Sequence, residues 1–85
     1  MKVLIPSALQ SYTRQAWVEA SGDTVGAVLA DLERQYTGIR FRMVDEQDRM
    51  RPNMRLFVGG AATFDLAQPL GPTDTLHIVQ ALSGG

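Results

Sequence analysis

The sequence predicts an α+β fold: a mixed sheet of four to five strands rolled around one main helix. Three observations predict it. Short apolar runs occur near both ends and in the middle of the chain, bounded by Pro and Gly. One segment, from Val25 to about Tyr36, carries apolar residues at helical spacing. And 85 residues make one domain, with a core too small for a deep internal cavity.

The elements follow in order. Val3, Leu4 and Ile5 read as a first strand that stops at Pro6. Ser7 to Arg14 is polar and reads as a turn. Gln15 to Ala20, with Trp17 and Val18, reads as a second strand antiparallel to the first. Ser21-Gly22-Asp23-Thr24 then supplies a turn and a helix N-cap, from Asp23 or Thr24. In the helix, Val25, Val28, Leu29, Leu32 and Tyr36 share one face. Gly26 sits where fraying of the helix end would relieve part of its propensity cost of about 1 kcal/mol. Gly38 follows, where a left-handed C-cap is expected.

Thr37 to Asn53 is the least regular stretch. Ile39, Phe41, Met43 and Val44 are expected to tuck part of it onto the core as a short helical turn. Met54 to Val58 reads as a third strand, closed by a turn at Gly59-Gly60. Ala62-Thr63-Phe64 reads as a brief fourth strand. Leu66 to Asp74 holds Pro69, Gly71 and Pro72 and reads as a loop. Thr75 to Leu82 is the last strand, and Ser83-Gly84-Gly85 is expected to be a flexible tail. The organisation is therefore a domain over 1–82 and a tail over 83–85.

With one helix available to cover one apolar sheet face, the arrangement is a β-grasp roll. Alternation assigns the faces. Val3, Ile5, Val18, Leu56, Val58, Leu76 and Ile78 should face the helix. Leu4, Trp17, Phe57 and Val79 should point away from it and form an apolar patch on the open face. The candidate partner-binding residues are Leu4, Phe57, Val79 and Leu82.

Composition excludes several function classes. A formal net charge of −1 does not suit a general nucleic-acid binder. Six of the eight basic residues fall between Arg34 and Arg55, but Asp45, Glu46 and Asp48 interleave with them, as in a solvated mixed loop. The chain holds no Cys, so disulfides, thiolate metal sites and a cysteine nucleophile are all excluded. The N-terminal apolar run is too short for a signal peptide, and nothing approaches a membrane span of about 20 apolar residues. The cytoplasm is the expected location, and neither membrane nor nucleic acid is an expected partner.

Conventional catalytic constellations are also missing. His77 is the only histidine and lies in a predicted strand with no partner, so its expected role is structural or merely exposed. Asp45-Glu46-Gln47-Asp48 lacks the glycine and terminal glutamate of a calcium loop, so no metal site is expected. Gly59-Gly60 has no Walker lysine after it and reads as a plain turn.

That leaves the C-terminus. Glycine makes up roughly 7% of residues, so two terminal glycines arise by chance about once in 200 chains. Lacking a β-carbon, they can lie extended in a narrow channel and let another backbone approach closely. The α-carboxylate is ionised at neutral pH and resists nucleophilic attack. It must first become a mixed anhydride, such as an acyl-adenylate. With no Cys in the chain, sulfur carried covalently at this end would replace an oxygen of the Gly85 carboxylate.

Over nearly its whole length the sequence resembles the MoaD/ThiS family of ubiquitin-like sulfur carriers, and within it the CysO-type carriers of cysteine biosynthesis. The residues that carry the resemblance are Ile5-Pro6, Ala20-Ser21-Gly22-Asp23-Thr24, Gly26-Ala27-Val28, Asp31-Leu32-Glu33, Tyr36, Gly38-Ile39, Phe57-Val58 and the Gly-Gly end. The resemblance implies adenylation of Gly85 by an E1-like activating enzyme that uses ATP, and conversion to a thiocarboxylate. Ser83 and Gly84 would thread the tail into that enzyme.

The implied partners are the adenylating enzyme, a sulfurtransferase and a sulfur-accepting biosynthetic enzyme. That acceptor is either cysteine synthase-like or the large subunit of molybdopterin synthase. The chain would be a cosubstrate, not an enzyme, with no bound cofactor, and a monomer on its own. Two other roles share the tail chemistry: the small subunit of molybdopterin synthase, and a ubiquitin-like protein modifier. Gln80 and Ala81 stand where the former usually has two prolines, and Gly59 stands where many relatives carry asparagine. Both departures weaken the molybdopterin role. The stretch Thr37–Asn53, which shorter thiamine-pathway relatives lack, weakens that role too.

Overall fold

In the computed structural model, which describes residues 1–81, the first strand β1 (Lys2–Leu4) stops just before Pro6, which has no backbone donor for a ladder. It pairs antiparallel with β2 (Trp17–Glu19), with Val3 opposite Val18 and Leu4 opposite Trp17. The segment between them is a correction to the expected turn. Ser7–Leu9 forms a 3-10 turn that runs into a short helix, α1 (Gln10–Thr13), ended by Arg14 in the left-handed region. The cause is apolar: Leu9 is buried and Tyr12, three residues on, packs against the core. Gln10 ties the segment down by donating from Nε2 to the Ile5 carbonyl at 3.0 Å.

The main helix α2 (Val25–Gln35) starts at Thr24, whose hydroxyl accepts a hydrogen bond from the Ala27 amide at 3.1 Å. Of the two N-cap candidates, the structure selects Thr24. Val25, Val28, Leu29 and Leu32 are all fully buried, as their spacing predicts. The first turn is tied down from outside the helix. The Val25 amide donates to the Gln68 carbonyl and the Gly26 amide to the Leu66 carbonyl, so the helix start is fastened to the loop that holds these two residues. The contact is close at Gly26: a β-carbon on it would lie 3.1 Å from the Leu66 carbonyl oxygen.

Tyr36 closes α2, so Gly38 is not its C-cap. Gly38 is left-handed (φ 97°), but it opens the next helix, α3 (Ile39–Met43). The Glu33 carboxylate accepts from the Gly38 and Arg40 amides at 2.8 and 3.0 Å, supplying acceptors at the start of α3. Ile39, Met43 and Val44 are buried as expected, but Phe41 is not: it is 55% exposed. Two residues on a helix are separated by about 200°, so Phe41 faces away from the Ile39–Met43 side.

β3 (Met54–Val58) has the predicted limits. Gly59 and Gly60, both at positive φ (57° and 85°), turn it into β4 (Ala61–Thr63). The fourth strand therefore begins one residue early and leaves out Phe64, which is exposed. β5 (Leu76–Gln80) is shorter than predicted, and Leu82, its predicted last residue, lies outside the described residues.

The sheet order is β2-β1-β5-β3-β4, with β5 parallel to β1 and antiparallel to β3. The last strand of the chain is thus the middle strand of the sheet. One sheet face holds Val3, Val18, Leu56, Leu76 and Ile78 against α2, all buried, and Val58 packs at the margin. The other face is open.

Candidate functional site

The open face is built by strand register. Leu4 lies opposite Trp17 on one side and His77 on the other. His77 in turn lies opposite Phe57, and Phe57 opposite Ala62. Trp17, Leu4, His77, Phe57 and Ala62 therefore form one row across five strands. In the next row toward the C-terminus, Val79 lies opposite Arg55. Trp17 is 46% exposed and Val79 42%, whereas Leu4 and Phe57 are half-buried between their neighbours. The predicted patch residues Leu4, Trp17, Phe57 and Val79 do share the face away from α2.

His77 was not foreseen as a member of this face. Its ring meets Trp17 edge-on at 5.5 Å between centroids. The alternation that placed Val79 outward also places His77 outward two residues earlier, so the signal was present. A groove of about 330 Å³ lies between the ends of β1 and β5, with Leu4, Pro6 and Val79 in its wall. It exists because β1 stops at Leu4 while β5 continues to Gln80.

The root of the C-terminus is held on the other side. Gln80 is still in register with Met54, and the Ala81 amide donates to the Asn53 carbonyl at 2.7 Å. Ser83, Gly84 and Gly85, and the partner-binding candidate Leu82, lie outside the described residues. Four residues separate Ala81 from the end of the sequence and span at most about 14 Å when extended.

Beside this root, Phe41, Arg42, Arg51, Asn53 and Gln80 line a second hollow of about 330 Å³. The Arg51 guanidinium lies 4.6 Å from the centroid of Phe41 and donates from Nε to the Phe41 carbonyl at 2.7 Å. Arg55 holds the Pro52 and Met54 carbonyls and lies 5.5 Å from the Phe64 ring.

The acidic run serves the local fold. Asp45 accepts from the Gln47 and Arg49 amides, which lower its pKa along with the Arg49 and Arg51 charges; the Arg49 bond is the largest cause. Asp48 pairs with Arg40 at 3.1 Å. Among the described residues no three His, Asp or Glu side chains gather as a metal-ligand set. No described helix is long and apolar enough to cross a membrane.

Comparison with known proteins adds a family. No protein-family model matches the chain. The sequence is 35% identical to the sulfur carrier protein CysO of Mycobacterium tuberculosis, over 98% of this chain and 96% of that protein. The crystal structure of Mycobacterium tuberculosis CysO superposes with a TM-score of 0.89 at 33% identity, covering 95% of this chain and 98% of that one. A chain of the Amycolatopsis orientalis BexX/CysO complex superposes with a TM-score of 0.90 at 31% identity, covering 99% of this chain and 98% of that one.

Proposed function

This chain belongs to the CysO family of sulfur carrier proteins, and from that premise we propose that its cargo rides on the carboxylate of Gly85. The chain is a β-grasp sulfur carrier. What the proposal adds is the atom that carries the sulfur and the surfaces that serve it. One observation carries it: the middle strand of the sheet runs in register to Gln80 and is pinned at Ala81, so the last four residues begin at a fixed point beside the open face.

The chemistry follows from the carboxylate. As an anion it repels nucleophiles, so an oxygen first attacks the α-phosphate of ATP on an E1-like partner, releasing pyrophosphate. The acyl-adenylate has an electrophilic carbonyl and a good leaving group. A hydrosulfide equivalent delivered by a sulfurtransferase attacks that carbonyl, and AMP departs with the bonding pair. The resulting thiocarboxylate is a nucleophile through its polarisable sulfur. It then donates sulfur on an acceptor enzyme, for which a cysteine synthase-like enzyme is favoured over the molybdopterin synthase large subunit. Gly84 and Ser83 thread the tail, and no residue of this chain performs acid–base catalysis. The chain thus acts as a cosubstrate. ATP is used by the partner, and the cytoplasm supplies it.

We assign the open face, through Leu4, Phe57 and Val79, to docking of the activating enzyme, with Leu82 continuing it toward the tail. CysO of Amycolatopsis orientalis crystallises in a complex with BexX, and this chain is proposed to dock partner proteins in its turn. Exposed aliphatic and aromatic anchors commonly carry much of an interface's energy.

The test is intact-mass measurement after incubation with the activating enzyme, ATP and a sulfur donor. The expected result is a mass increase matching exchange of one oxygen for sulfur, localised to Gly85. Deleting Gly85, or adding one residue after it, should abolish the shift. An unmodified wild-type chain beside an enzyme that is demonstrably active would overturn the proposal.

A further inference from the structure

Resting on the carrier function proposed above, we infer that the hollow formed by Phe41, Arg42 and Arg51 beside the tail root receives an acidic side chain of the activating enzyme. The apolar open face is then one half of the docking surface, and this cationic notch is the other.

The geometry of Arg51 favours this occupant. Its guanidinium carbon lies over the Phe41 ring at 4.6 Å, and its Nε donates to the Phe41 carbonyl. That leaves its two terminal nitrogens with no hydrogen bond among the described residues. A guanidinium fixed in this way presents a fork suited to a carboxylate, with little entropy left to lose.

Charge favours the same occupant. Three ion pairs form among the described residues: Met1 with Glu19, Arg34 with Asp31, and Arg40 with Asp48. Arg42, Arg51 and Arg55 belong to none of them. Asp45 feels the Arg51 charge, but its carboxylate is engaged by the Gln47 and Arg49 amides. The hollow is lined by two arginines, Phe41, Asn53 and Gln80, with no acidic residue. Two arginines outside any ion pair among the described residues thus line a hollow beside the tail root, with the Asp45 charge acting on one of them from outside it.

The hollow also lies at the start of the tail. Ala81 is fixed to Asn53, which itself lines the hollow. Fully extended, the remaining four residues reach at most about 14 Å from Ala81. A tail drawn out into a partner's channel takes the reacting carboxylate away from arginines at the root. They would meet the protein surface at the mouth of the channel that the tail enters. Charge at such a rim governs encounter and salt dependence more than chemistry.

The test uses the full chain and the adenylating enzyme of the same organism, taken as the one that releases pyrophosphate from ATP in the presence of wild-type chain. The variants are Arg42→Glu and the pair Arg42→Glu with Arg51→Glu. The Arg42 side chain makes no hydrogen bond among the described residues, so its single variant guards against misfolding. At low salt the pair should raise KM for the carrier about ten-fold with kcat unchanged. The difference should shrink as salt approaches about 0.5 M, where screening is strong. An unchanged KM at every salt concentration would overturn the inference while leaving the carrier function standing. So would a lowered KM, which is expected if the notch instead held the chain's own terminal carboxylate. A wild-type chain that no such enzyme adenylates would overturn the carrier chemistry itself, and the inference with it.

Discussion

Gly22 lies against the backbone of α2: a β-carbon built on it would stand 2.7 Å from the Val28 nitrogen and 2.8 Å from the Ala27 carbonyl carbon. Both are atoms of a helix packed on the sheet, so neither can move aside alone. Gly22→Ala should therefore destabilise the domain by about 1–3 kcal/mol, the usual range for overpacking. Urea unfolding followed by Trp17 fluorescence measures it. A variant as stable as wild type would show that the turn before α2 can relax.

Thr24 caps α2 through its hydroxyl. Thr24→Ala should cost about 1 kcal/mol, and Thr24→Ser should restore most of it, because the serine oxygen can accept from the same Ala27 amide. Thermal unfolding of the three proteins decides this. Equal losses in both variants would assign the effect to the lost methyl group instead.

Glu33 carries a pH dependence. Its pKa lies below the ordinary 4.5, first because the Gly38 amide and then because the Arg40 amide bonds its charged form. A carboxylate depressed in the folded state stabilises above its unfolded pKa, and that contribution is lost as pH falls through the folded one. Glu33→Gln should therefore be less stable than wild type at pH 7. The gap should narrow as pH falls below 4.5 and through the lowered folded-state value. Urea midpoints at pH 7 and pH 3 provide the comparison, and a constant gap between the proteins would exclude Glu33 as the source.

Val79→Asp should leave stability within about 0.5 kcal/mol of wild type, because the side chain projects from the open face. It should nevertheless weaken binding to the activating enzyme by ten-fold or more, as expected for loss of an interface anchor. Titration calorimetry measures the affinity, and circular dichroism checks the fold. Undiminished affinity would remove Val79 from the docking surface.

Much of the fold was legible as periodicity. The helix from Val25, the strand limits Met54 and Val58, the Gly59-Gly60 turn and the assignment of Leu4, Phe57 and Val79 to one face all follow from spacing alone. The misses were segments whose structure depends on distant partners. Ser7 to Arg14 looks polar, yet Leu9 and Tyr12 are enough to fold it onto the core. Gly26 looks like a weak helix position until the Leu66 carbonyl is seen against it.

Which residues point inward and outward on each strand is readable along the chain, because alternation is a local property of an extended backbone. The glycines at 84 and 85 and the lack of Cys are likewise read from the chain itself. Only the tertiary structure decided that β5 is the middle strand, that Trp17, Leu4, His77 and Phe57 form one row, and that Phe41 and Arg51 meet beside Ala81. Those relationships are set by strand order and register between segments tens of residues apart. They arise from burying one shared core, and no local pattern along the chain encodes them.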